Sequence, residues 1–138
     1  MKRIILLLAV LATSIMVNAQ TEEELVRATL HDYIIGTSNG EPARITKAFH
    51  PDLNLYTVKD GLLSLRSGKD YIQLFKPGKT NSRIGEVLMI DIENDAAMAK
   101  VEISFSDRPG SYIDYFLLLK VGGHWTIIHK SYTKKSDS

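Results

Sequence analysis

Asp114, His129 and Ser131 are the residues of this chain whose types and spacing suit chemistry most directly. They flank Gly122-Gly123, a dipeptide fitted to a two-residue hairpin turn. Counted back from that turn, Lys120 faces Trp125, Asp114 lies opposite Ser131, and His129 is diagonal to Asp114, within hydrogen-bond reach. A carboxylate beside an imidazole fixes the ring's tautomer and favours its cation, while an apolar surround pushes the carboxylate toward neutrality. Either shift supports proton transfer. In an enzyme, His129 would be the base and Asp114 the orienting carboxylate. Tyr112 shares their face, and Tyr33 and Tyr56 extend it into a candidate ligand pocket with Trp125.

Each of these groups also has a plainer explanation. The polar ones lie where strands pass the edge of a core, and are either solvated there or satisfy one another. Tyrosines are often core residues whose hydroxyl reaches water, and Trp125 sits where a side chain would close the narrow end of a core. Structural packing, a ligand pocket and acid–base catalysis therefore all remain open. None of the expected helices carries a His or carboxylate pair at i, i+4 spacing, and there is no calcium-loop pattern, so no metal is expected. The chain also lacks a phosphate-cradling glycine loop and a dinucleotide fingerprint, so no cofactor is implied.

The elements that must position these residues read in order along the chain. Thr21 and Glu24 match a capping box, and Leu25/Val26, Thr29/Leu30 and Tyr33/Ile34 recur at helical spacing, with Gly36 as the expected stop. A short helix follows from Glu41 or Pro42 to Phe49, ended by Pro51. The hairpin Leu53 to Arg66 turns at Lys59-Asp60-Gly61, and a third helix is expected over Ser67 to Lys76. Four strands complete the chain, separated by Asn94-Asp95, Asp107 to Gly110 and Gly122-Gly123.

Alternation from those turns predicts an inner face of Leu88, Ile90, Val101, Ile103, Phe105, Phe116, Leu118, Trp125 and Ile127. Glu86, Tyr112, Asp114, His129 and Ser131 are its polar members. The outer face collects Asp91, Glu93, Lys100, Glu102, Ser104, Thr126 and Lys130, with Val87, Met89, Met98, Leu117 and Leu119 as its apolar part.

A length of 138 residues suits one domain. Met1 to Ala19 has the form of a secretory signal: Lys2-Arg3, a short apolar run, then Val17-Asn18-Ala19. The expectation is an exported protein, periplasmic or secreted, with a single domain over 20–134, a flexible tail over 135–138 and no membrane segment after signal removal. There is no cysteine, so disulfides and the usual lipid anchor are excluded. Without Lys2 and Arg3, the 17 basic residues become 15 against 16 acidic ones. That balance does not suit nucleic acid or an anionic membrane.

The order of elements, the segment Phe49-His50-Pro51-Asp52 and the ending Gly123-His-Trp-Thr-Ile-Ile-His129 resemble the nuclear-transport-factor-2-like superfamily. More narrowly, they resemble its bacterial lumazine-binding-like branch. The resemblance implies an α+β cone, α-α-β-β-α-β-β-β-β, in which three helices pack on a strongly curved, mainly antiparallel sheet with a cavity at the open end. It implies a small-molecule ligand, and a homodimer through the sheet as a frequent assembly. Binding domains, isomerases, dehydratases and non-catalytic interaction modules all occur in that superfamily. A cone filled by its own side chains would favour the last, and an Asp114 turned out to solvent would remove the enzymes.

Overall fold

The computed structural model describes residues 19–136. The expected signal segment, apart from Ala19, and the last two residues of the expected tail lie outside the described residues. The elements are α1 (Glu22–Asn39), α2 (Pro42–Ala48), β1 (Phe49–Lys59), β2 (Leu62–Ser67), α3 (Gly68–Ile72), β3 (Arg83–Glu93), β4 (Ala96–Phe105), β5 (Tyr112–Val121) and β6 (His124–Lys134). The strands form one sheet in the order β2-β1-β6-β5-β4-β3. All neighbours are antiparallel except β1 and β6, which run parallel.

Local chemistry sets the helix ends. Thr21 Oγ1 accepts from the Glu24 N–H at 3.2 Å, and Glu24 Oε2 accepts from the Thr21 N–H at 2.8 Å, so the capping box forms. Gly36 does not stop α1. Its missing side chain instead lets α2 approach, because a Cβ there would lie 2.7 Å from Ile45 Cγ1. The stop is Gly40, whose φ of 65° is the left-handed conformation that glycine adopts freely. Ser67 caps α3 by accepting from the Asp70 N–H at 3.0 Å, but that helix ends at Ile72, short of the expected Lys76.

The core lies between α1 and the concave face of the sheet. Val26, Leu30 and Tyr33 pack with Val101, Ile103, Phe116, Leu118 and Ile127, all essentially without solvent contact. The turns pair Ile92 with Ala97 and Lys120 with Trp125, as the sequence predicts. Away from the turns, two one-residue bulges break the alternation. In β3, Val87 faces Val101 but Met89 faces Lys100, so Leu88 is the extra residue. In β6, Ile127 faces Leu118 but His129 faces Leu117, so Ile128 is extra.

A bulge turns every residue beyond it to the other face. Six face assignments change as a result. Leu88 and Glu86 leave the inner face, Glu86 now lying opposite Glu102, while Val87 packs against the core. His129 and Ser131 move to the outer face, where their ladder partners are Leu117 and Tyr115. Lys130 moves inward, opposite Phe116 and Leu55. The outer face still exposes Met89, Met98, Leu117 and Leu119.

The close helix contact gives a stability test. Gly36→Ala should lower unfolding free energy by about 1–2 kcal/mol in urea denaturation, because overpacking against Ile45 outweighs the gain in helix propensity.

Candidate functional site

Tyr33 is fully buried at the start of the fourth turn of α1, facing the sheet. Its hydroxyl joins a cluster that the alternation of β5 and the bulge of β6 bring together. Asp114 Oδ2 accepts from the Tyr33 O–H at 2.8 Å and from Lys130 Nζ at 2.9 Å. Lys130 Nζ also donates to the Tyr33 oxygen at 2.8 Å. The Asp114 and Lys130 side chains are 2% and 4% exposed, so this is a buried ion pair. Such a pair survives only when its remaining hydrogen bonds are met, and Tyr33 meets one from each side. The Lys130 ammonium is also ringed by Tyr33, Tyr71 and Tyr132, each centroid 5.0 Å away.

Arg83, the first residue of β3, adds a second cation. Its Nη2 donates to Tyr33 at 3.3 Å and Tyr71 at 3.5 Å, both long, and its Nε is buried without an acceptor among the described residues. Burial opposes the Arg83 charge, yet the oxygens of Tyr71 and Tyr33 and the Asp114 carboxylate together hold its pKa above the usual arginine value. Burial, and then the adjacent Asp114 charge, push the Tyr33 phenol well above its ordinary range. Tyr33 therefore keeps its proton and donates it to Asp114. The 3.3 Å contact between Tyr33 and Tyr71 then leaves Tyr71 as donor, at a distance beyond a good O–H···O bond.

Above this floor lies an open cavity of about 280 Å³. Tyr71, Arg83, Asp114 and Lys130 form its base, and Ile103, Phe105, Arg108, Tyr112 and Tyr132 its walls and rim. Phe105 and Tyr112 meet edge to face with centroids 6.2 Å apart, and Tyr112 and Tyr132 do so at 6.5 Å. The cone is thus not filled by its own side chains, and Asp114 is held inward. What this base offers a ligand is chiefly hydrogen-bond donors.

Of the residues expected from sequence, Tyr112 and Asp114 line the cavity, and Tyr33 lies buried behind it on Asp114 and Lys130. His129, Ser131 and Tyr56 do not join them. The bulge at Ile128 sends His129 outward, where its ring stacks on Tyr56 with centroids 5.0 Å apart and its Nε2 lies 2.7 Å from Ser131 Oγ. Trp125 is buried at the opposite end of the molecule, near the β5–β6 turn. There its Nε1–H donates at 2.7 Å to Glu22, whose carboxylate also accepts from Lys120. Its work is packing at the closed end.

Lys130, Arg83, Tyr71 and Tyr132 were not picked out by alternation. The signal that could have found the two cations is an apolar doublet, Val87-Leu88 or Ile127-Ile128, where a strand's phase is free to slip. Among the described residues no cluster of three His, Asp or Glu side chains forms a metal-ligand set.

A curved sheet wrapped on a long helix, with a polar cavity at one end, defines a nuclear-transport-factor-2-like cone. Solved structures of that fold superpose closely. A nuclear-transport-factor-2-like protein of unknown function from Shewanella baltica OS155 has a TM-score of 0.74 at 23% identity, over 84% of this chain and 95% of that one. A similar protein from Methylobacillus flagellatus KT gives 0.72 at 24% identity, over 87% and 98%. A sequence profile described as "Putative lumazine-binding" matches residues 21–133, and the chain belongs to that family. Aldolase FrzH of Cladobotryum sp is 25% identical over 111 residues, spanning 80% of this chain and 89% of that protein.

The buried pair gives a sharp prediction. Lys130→Ala should cost about 3–5 kcal/mol in chemical denaturation, because it leaves a buried carboxylate without its counter-charge. Replacing both partners, Asp114→Leu with Lys130→Met, should recover most of that loss.

Proposed function

We propose that the protein is an exported domain that binds a small organic molecule in the open end of its cone. One observation carries this reading: an open, aromatic-walled cavity whose base is a buried Asp114–Lys130 pair tied to Tyr33. A core made only for stability has little use for such a pair, since apolar residues of the same volume do as well or better. The cavity lies just below the usual volume of ligand pockets, and it brings convergent charged groups and aromatic rings together in one space. The family's description, lumazine binding, agrees with a small-molecule ligand.

Native mass spectrometry of gently purified protein, followed by thermal-shift screening against a metabolite panel, tests this reading. A retained or stabilising small molecule is expected. His129→Ala should leave its retention unchanged, whereas Tyr71→Phe should weaken it by about 1 kcal/mol, the value of one hydrogen bond. Absence of any ligand in both measurements would overturn the reading.

A second reading, acid–base catalysis in the same cavity, draws on two observations. Lys130, Tyr33 and Asp114 form one continuous hydrogen-bonded chain, and the similar FrzH protein is named an aldolase. In this reading Asp114 and Lys130, rather than Asp114 and His129, exchange the proton. Proton NMR of small ketones and 2-keto acids in D₂O checks it. Exchange of the α-hydrogens that disappears in Asp114→Asn is expected for an enzyme, and no exchange leaves binding alone.

We also infer a homodimer through the outer face of the sheet, where Met89, Met98, Tyr115, Leu117 and Leu119 are exposed together. Sedimentation velocity should give a dimer that Leu117→Glu converts to a monomer.

A further inference from the structure

The charges and hydrogen-bonding groups around the cavity do not balance, and the imbalance specifies a ligand. Asp114 is the sole carboxylate among the lining residues, and its Oδ2 is already engaged by Lys130 and Tyr33. Three cations line the same space: Lys130, Arg83 and Arg108. Lys130 is neutralised by Asp114. Arg108 lies at the rim with its guanidinium 3.7 Å from the Phe105 centroid, and Asp107, outside the lining, is 3.9 Å from it. Arg83 has no carboxylate partner among the described residues. Its hydrogen bonds go to two neutral phenol oxygens at long range, and its Nε has no acceptor.

Donors outnumber acceptors in the same way. The Tyr33 proton is committed to Asp114, so the Tyr71 hydroxyl can turn its own proton either toward Tyr33 at 3.3 Å or toward a ligand. A guanidinium that lines the cavity without a carboxylate partner, beside a phenol whose proton can turn outward, is completed by an anion with two acceptor oxygens. Carboxylates fit a guanidinium in this way through paired, charge-assisted bonds. One unmatched deep cation calls for one negative charge. Phe105, Tyr112 and Tyr132 supply ring faces and edges for a flat apolar body.

We propose that the cavity binds a small, flat monocarboxylate, with its acid group on Arg83 and Tyr71 and its ring among Phe105, Tyr112 and Tyr132. This names the ligand class of the pocket described above and rests on that reading. Asp114 and Lys130 then serve as the neutral foundation beneath the acid group, and Arg83 as the residue that selects for charge.

The test is isothermal titration of the protein with 2-naphthoate and with 2-naphthamide, its neutral counterpart of nearly the same shape. Naphthoate should bind at least about tenfold more tightly than the amide, in line with a charge-assisted pair against a neutral hydrogen bond. Raising the salt concentration should narrow the gap. Arg83→Gln should remove most of the acid's advantage over the amide, whatever it does to the affinity of both. Equal or tighter binding of the amide by the unaltered protein overturns the charge assignment while leaving the pocket in place. Failure of both compounds to bind overturns the flat monocarboxylate as ligand class, while the pocket reading stands or falls on the ligand screen above. The acid–amide comparison needs no variant, so it decides the matter even if Arg83→Gln does not fold.

Discussion

Asp114 and Lys130 are so deeply buried that neither can be held there without the other. Everything around them follows from that dependence. The pair needs Tyr33 above it, so α1 must cross the sheet at the height that places its fourth turn over β5. It needs Lys130 to face inward, so β6 must shift phase after Ile127. It also needs rings around the ammonium, which Tyr71 and Tyr132 supply from α3 and the end of β6. The apolar core between α1 and the sheet provides the stability that offsets the desolvation of the pair.

The two bulges act in the same sense. Each adds one residue in the middle of a strand, so the half near the closed end keeps the phase set by its turn and the half near the mouth is reversed. On β3 the reversal brings in Arg83, and on β6 it brings in Lys130. Without them the inner face at the mouth would carry Glu86, His129 and Ser131. The cavity's electrostatic character is thus set by two backbone irregularities as much as by residue types, in keeping with the concentration of bulges near functional sites.

This explains what was legible beforehand. Element order, turn positions and the closing hairpin pairing are local properties, carried by glycines, prolines and alternating side chains, and they were readable residue by residue. The capping box at Thr21 and the inward positions of Asp114, Phe116 and Leu118 were readable for the same reason. Site membership was only half legible, because it depends on strand phase far from a turn. Phase is carried by alternation, and alternation gives no information inside Val87-Leu88 or Ile127-Ile128, where both neighbours are apolar. Gly36 misled for a related reason: a glycine marks a helix stop or a close approach equally well, and only the position of Ile45 separates the two.

The position of β6 within the sheet bears on how the molecule assembles. It lies between β1 and β5, so it alone joins the β2-β1 pair to the β5-β4-β3 meander. It is also last in chain order, and its parallel partner β1 begins some seventy residues earlier, at Phe49. The meander can zip up through short turns, but the parallel pairing has to wait for a long loop to close, and non-local contacts of that kind slow folding. Until then β1 and β6 each present a strand edge, and Lys130 has no Leu55 beside it. Of the cavity's lining, Tyr71 alone comes from outside the β3–β6 meander, so the late parallel pairing adds the last wall to a cavity whose other walls the meander already holds.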